Sequence, residues 1–92
     1  MRERLEATVC GRVQMVMFRD YATRKARALK IVGEVQNMPD GTVRVVAEGP
    51  REALEHYLKK LREGSLLSRV ERVEAVFKEA SGDYRSFAIH YE

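Results

Sequence analysis

The residues best placed to do chemistry lie in one stretch, Gly11-Arg12-Val13-Gln14-Met15-Val16-Met17-Phe18-Arg19-Asp20. It joins an alternating segment to a helical one, so its main chain forms a strand-to-helix junction. The first turn of a helix leaves N–H groups without intrahelical partners and carries the positive end of the macrodipole, which suits it to anions. Arg19 adds a guanidinium fork matched to phosphate or carboxylate. Position alone leaves a second reading open, in which Arg19 is a solvated residue beside an ordinary junction. Cys10 is the only cysteine and His56 and His90 lie far apart in sequence, so neither a disulfide nor a metal site is expected.

The elements that must position this stretch follow from periodicity. Leu5, Ala7, Val9, Gly11 and Val13 recur at every second position, giving a strand over residues 5–13 with one buried face and Cys10 on the other. Phe18, Ala22, Ala26 and Leu29 recur at helical spacing, which predicts an amphipathic helix over residues 18–31. Its basic residues Arg24, Lys25, Arg27 and Lys30 read as a solvated face. Alternation through Gly33, Val35 and Asn37 stops at Met38-Pro39-Asp40-Gly41 and resumes at Val43, Val45 and Ala47, the pattern of a β-hairpin. Gly49-Pro50 opens a second helix, with Pro at the first helical position, Leu54, Tyr57, Leu58 and Leu61 on its apolar stripe, and Gly64 at its end. His56 falls on its polar face. Val73, Ala75 and Phe77 predict another strand, Ala80-Ser81-Gly82-Asp83 a turn, and Phe87, Ile89 and Tyr91 a last short strand with His90 on its exposed side.

The order β-α-β-β-α-β with a short C-terminal strand is the split arrangement called ferredoxin-like, an α+β sandwich with two helices on one face of an antiparallel sheet. Right-handed crossovers make the first and third strands central and leave the other face open to water. The first two strands then run parallel, and their C-terminal ends reach the same rim. Asn37 is carried to the loop that holds Arg19. An Asn before a Pro-Asp-Gly turn also serves as a turn cap, and topology leaves both roles open.

With 92 residues the chain fits one domain, residues 1–92. A net charge of +3, with acidic and basic residues interspersed, does not form the one-sign stripe of a nucleic-acid binder. No apolar run approaches a membrane span, and Arg2, Glu3, Arg4 and Glu6 interrupt the start where a signal peptide needs an apolar core. The expectation is a cytoplasmic monomer.

Val9-x-Gly11-x-Val13-Gln14-x-Val16-x-Phe18-Arg19, followed by Gly33-x-Val35-Gln36-Asn37-x-x-x-Gly41-x-Val43 and then Gly49, resembles the acylphosphatase family in both of its signature segments. The resemblance extends along the whole chain in length and element order. It implies a hydrolase that splits the carboxyl-phosphate bond of acyl phosphates into a carboxylate and inorganic phosphate, with no metal or cofactor. By the same resemblance, Arg19 binds the phosphoryl group and Asn37 orients the attacking water. The phosphate-binding loop, Gln14, Met15, Val16, Met17 and Phe18, holds the substrate through N–H groups from about Met15 to Arg19. Its partner is a small acyl phosphate.

Met15 stands where the family usually has Gly, Met17 where Gly or an aromatic is frequent, and Glu34 where a large aromatic is frequent. If the loop needs positive φ at position 15, a side chain costs about 1 to 2 kcal/mol there. Asp20 adds a carboxylate that must point away from a bound anion. These features frame the alternative of a catalytically impaired acylphosphatase-like domain that binds a small anion or a protein partner. A third reading, single-stranded RNA binding on the open sheet face, needs an aromatic platform. Thr8, Cys10, Arg44, Val46 and Glu48 supply none.

Overall fold

The computed structural model describes residues 2–91; Met1 and Glu92, which complete the expected domain, lie outside the described residues. The chain runs β1 (Arg2–Arg12), α1 (Phe18–Ala28), β2 (Val32–Asn37), β3 (Val43–Pro50), α2 (Arg51–Glu63), β4 (Arg69–Glu79) and β5 (Phe87–Ile89). The strands form one sheet in the order β4-β1-β3-β2-β5. β1, β2, β3 and β4 pair antiparallel, whereas β5 adds parallel to β2, so the sheet is mixed and not wholly antiparallel. The first and third strands are central, as the crossover rule requires.

The inward faces of β1 and β3 bury Leu5, Ala7, Val9, Val43, Val45 and Ala47 against the two helices. Phe18, Ala22 and Ala26 meet them from α1, and Leu54, Tyr57, Leu58 and Leu61 from α2. Two tyrosines tie the helices reciprocally. The Tyr57 hydroxyl donates to the Ala22 carbonyl at 2.9 Å, and the Tyr21 hydroxyl donates to the Lys60 carbonyl at 2.9 Å. Burial pushes the Tyr57 phenol far above its ordinary range, so it stays a donor.

The element ends differ from the periodic reading for local reasons. α1 stops at Ala28, not near 31, because Lys30 turns left-handed at φ 59° and the Ile31 N–H donates back to Ala26. Ile31 is thereby buried beyond the helix. Pro50 precedes the first turn of α2 in an extended conformation, one position before the expected one. β4 extends to both sides of the 73–77 segment because it pairs with β1 from Glu3 to Arg12. β5 ends at Ile89, and Tyr91 lies outside it, 71% exposed. His90 is exposed as expected, 4.0 Å from the Glu34 carboxylate through Nδ1. Arg27 is not merely solvated: its guanidinium donates to the Phe87 carbonyl and fastens α1 to β5.

The face opposite the helices is less open than its pattern suggests. β4 and β5 lie at opposite edges, so residues 80–86 must cross the sheet to connect them. They cross over Glu48, an outward-facing residue of β3 that is only 1% exposed. Its carboxylate accepts from the Ser81 N–H (2.9 Å), the Ser81 hydroxyl (2.8 Å), the Gly82 N–H (3.0 Å) and Arg4 (3.1 Å). Val46 is also buried, flanked by Glu6 and Glu34 on the paired strands.

Burial acts to raise the Glu48 carboxyl, but the Ser81 and Gly82 donors and Arg4 outweigh it and hold the group below its ordinary value of 4.5. A depressed carboxyl stabilises the fold above its unfolded pKa, and that stability is lost as pH falls through the folded one. Glu48→Gln should therefore cost about 2 to 3 kcal/mol near neutral pH. In denaturant titrations the difference from the parent should shrink as the pH falls below 4.5.

Candidate active site

The loop begins where β1 leaves the sheet. Between Cys10 and Gly11 the β1–β4 register shifts by one residue, with Glu71 of β4 left over as a bulge. Gly11 sits at φ 128°, and a Cβ there would overlap the Arg69 carbonyl oxygen. Only glycine allows β4 to approach this closely while β1 turns into the loop. Gly33 meets the same demand on β2, at φ 146° against the Val46 carbonyl.

From Val13 to Phe18 the chain is fixed at both ends by side chains in the core, Val13 and Phe18, with half-buried Val16 packed between them. Met15 and Met17 take the exposed positions, at 98% and 68%. Both are left-handed, with φ of 61° and 62°, and Met17 is the residue from which α1 starts. Thus the loop takes a conformation that glycine adopts freely, in spite of two side chains. Each carries about 1 to 2 kcal/mol of strain. Two such residues two apart, at the start of a helix, mark a segment whose shape is imposed by its surroundings. At 98% exposure the Met15 side chain packs on almost nothing and does not fill the interior of the loop.

The Gln14 side chain is engaged within the protein. Its amide nitrogen donates at 2.8 Å to both the Met38 and the Thr42 carbonyls. The side chain is a strut between the loop and the β2–β3 turn. That turn is closed by its own bonds, Met38 N–H to the Thr42 carbonyl and Thr42 to the Asp40 carboxylate.

Arg19 lies in the first turn of α1, half-buried. Among the described residues it forms no ion pair, and its guanidinium rests over the Tyr91 ring at 5.3 Å from the centroid. It shares a cleft of about 390 Å³ with Val13, Met15, Met17, Phe18, Asp20 and Ile89. The Asp20 carboxylate is paired with Arg24 at 2.9 Å, which offsets its repulsion of an anion in this cleft.

Asn37 ends β2, next to the Met38 carbonyl that Gln14 holds. Its Oδ1 is buried and has no hydrogen-bond partner among the described residues. It does not line the Arg19 cleft but a second depression, with Gln36, Met38 and Pro39. A buried amide oxygen without a donor is rare and points to a ligand or water. The turn-cap role accordingly finds no hydrogen bond through this atom.

Ile89 and Tyr91 were not among the expected site residues. The available signal was topological. A last strand laid parallel to β2 carries positions 89–91 to the same rim as Asn37, but periodicity alone did not assign that partner.

Replacing Met15 by Gly should relieve the left-handed strain while adding freedom to the unfolded chain, about 0.4 to 1 kcal/mol in the opposite sense. The expected outcome is a net gain of about 0.5 to 1 kcal/mol in urea unfolding, with the slope unchanged.

A model of the acylphosphatase family matches residues 5–89. A curated acylphosphatase of Thermus thermophilus is 52% identical over 79 residues, covering 86% of this chain and 90% of that protein. One of Salinibacter ruber is 40% identical over 95% of this chain and 92% of its own length. The crystal structure of acylphosphatase from Bacillus subtilis superposes with a TM-score of 0.93 at 32% identity, over 97% of this chain and 99% of that one. With strand order, loop and sequence in agreement, the chain belongs to the acylphosphatase family.

Proposed function

We propose that this protein hydrolyses acyl phosphates, with Arg19 and the loop binding the phosphoryl group and Asn37 positioning the water. The observation that carries this reading is the pairing, on one rim of the sheet, of an arginine with a buried amide oxygen, the first without an ion pair and the second without a donor among the described residues. Gln14 joins the two segments that bear them.

Phosphoryl transfer needs charge stabilisation and in-line alignment more than covalent help from the protein. Arg19 offers a planar fork to two non-bridging oxygens, and the loop leading into α1 adds N–H groups from about Met15 to Arg19. Asn37 Oδ1 accepts one hydrogen of the water and turns the oxygen lone pair toward phosphorus. As the new P–O bond forms, the bond from phosphorus to the acyl oxygen breaks, and its electron pair leaves with the carboxylate. A carboxylate departs without a general acid, and the water proton passes to a phosphoryl oxygen of the substrate. No metal or cofactor enters this scheme. The left-handed main chain at both methionines supports a loop in working shape over an impaired one.

We further propose that residues 1–92 act as one domain, a monomer with a small-molecule substrate and no nucleic-acid partner, in the cytoplasm. The free, buried Cys10 supports the compartment. On the open sheet face the side chains of Glu6, Thr8, Arg44, Glu74 and Val76 support the absence of a base-stacking platform. No helix among the described residues is long and apolar enough to cross a membrane.

The test is turnover of benzoyl phosphate by purified protein. Arg19→Ala and Asn37→Ala should each lower kcat/KM by about 100- to 1,000-fold. Inorganic phosphate should still bind the Asn37 variant and be weakened in the Arg19 variant. Hydrolysis no faster than the spontaneous rate, by protein with an intact circular dichroism spectrum, would falsify the reading.

A further inference from the structure

The phosphoryl group accounts for only part of the Arg19 cleft. A tetrahedral anion fills a small fraction of about 390 Å³, and five of the seven lining residues are apolar: Val13, Met15, Met17, Phe18 and Ile89. Of the two polar ones, Asp20 is engaged with Arg24. A ligand whose charge is held by Arg19 and the loop therefore meets mainly thioether and hydrocarbon in the rest of the cleft, with the Asp20–Arg24 pair at its border. Met15 and Met17 are also among the most exposed large apolar side chains of the described residues, and both stand at this one lip. Methionine is suited to such a place because its unbranched, polarizable thioether adapts to varied shapes and makes favourable contacts with aromatic rings.

The direction of the reaction tells which part of the substrate comes here. In-line displacement sets the attacking water and the leaving oxygen on opposite sides of phosphorus. Asn37, the water-positioning residue, lines a different depression from the one that Met15 and Met17 line. The leaving acyl group, directed away from the water, is left with the methionine cleft.

We propose, resting on the acyl phosphate reading of the site, that Met15 and Met17 are specificity-determining residues which receive the acyl group and select substrates whose acyl part is apolar, aromatic above all. Their main chain serves the phosphoryl group, and their side chains serve the leaving group. This gives the two strained positions a use that glycine could not supply.

The test compares benzoyl phosphate with acetyl phosphate in the parent and in the Met15→Asn, Met17→Asn double variant. Asn tolerates the left-handed conformation, so the variant removes apolar surface with little demand on the main chain. Both substrates share the phosphoryl group, so changes in loop function cancel in the ratio of their kcat/KM values. After division by the spontaneous rates, the parent should prefer benzoyl phosphate by on the order of 10-fold, chiefly through KM, and the variant should lose most of that preference. Calorimetry with benzylphosphonate and methylphosphonate reads the same preference without turnover. If neither acyl phosphate is hydrolysed, the catalytic reading fails, and the phosphonates alone then judge the methionines. A preference unchanged in the double variant, or equal affinity of the parent for the two phosphonates, overturns the proposal.

Discussion

β1 and β2 both run antiparallel to β3, and the site depends on that constraint. Two strands held in this relation must deliver their C-terminal ends to one rim, however far apart they lie in sequence. The loop after β1 and the turn after β2 meet there, and the Gln14 amide bonds one to the other. A side-chain amide with two carbonyl partners fixes both distance and orientation, which a single bond would not. Parallel addition of β5 to β2 then brings Ile89 and Tyr91 to the same rim. Four segments converge on this rim, and the first turn of α1 brings to it the Arg19 guanidinium, which forms no ion pair among the described residues.

The loop is held in shape by its ends. Val13 and Phe18 are locked in the core, and Gly11 lets β4 close against the strand beneath them. With both anchors fixed, the four residues between have few conformations to choose from, and Met15 and Met17 accept left-handed ones despite the steric cost. Preorganisation of this kind is what the proposed phosphoryl site requires, since its N–H groups would not have to reorganise as charge develops.

The fold was legible because its signals are local or follow from connectivity. The alternation of Leu5 to Val13, the stripe of Leu54, Tyr57, Leu58 and Leu61, and the Pro39-Asp40-Gly41 turn each specify an element, and the order of elements specifies the sheet. Arg19 and Asn37 could be placed on one rim by that route alone. What stayed hidden depends on where long side chains go once the sheet has formed. Nothing in the neighbourhood of Gln14 says that its amide bonds a turn 24 and 28 residues away. Nothing near Glu48 says that Ser81 and Gly82 will bury its carboxylate. Positive φ at Met15 was conceivable from sequence, but only the closed loop imposes it.

The edge strand β4 has a consequence of another kind. An eleven-residue strand at the border of a sheet offers unpaired N–H and carbonyl groups to any second strand that meets it. Here Arg69, Glu71, Arg72, Glu74, Lys78 and Glu79 crowd that border with charges of both signs, and the extra residue at Glu71 breaks its regular spacing. A neighbouring molecule would have to strip water from those charges and match an interrupted ladder in order to dock. The bulge beside which β1 turns into the loop over residues 11–19 thus also interrupts the regular ladder along the exposed edge of β4.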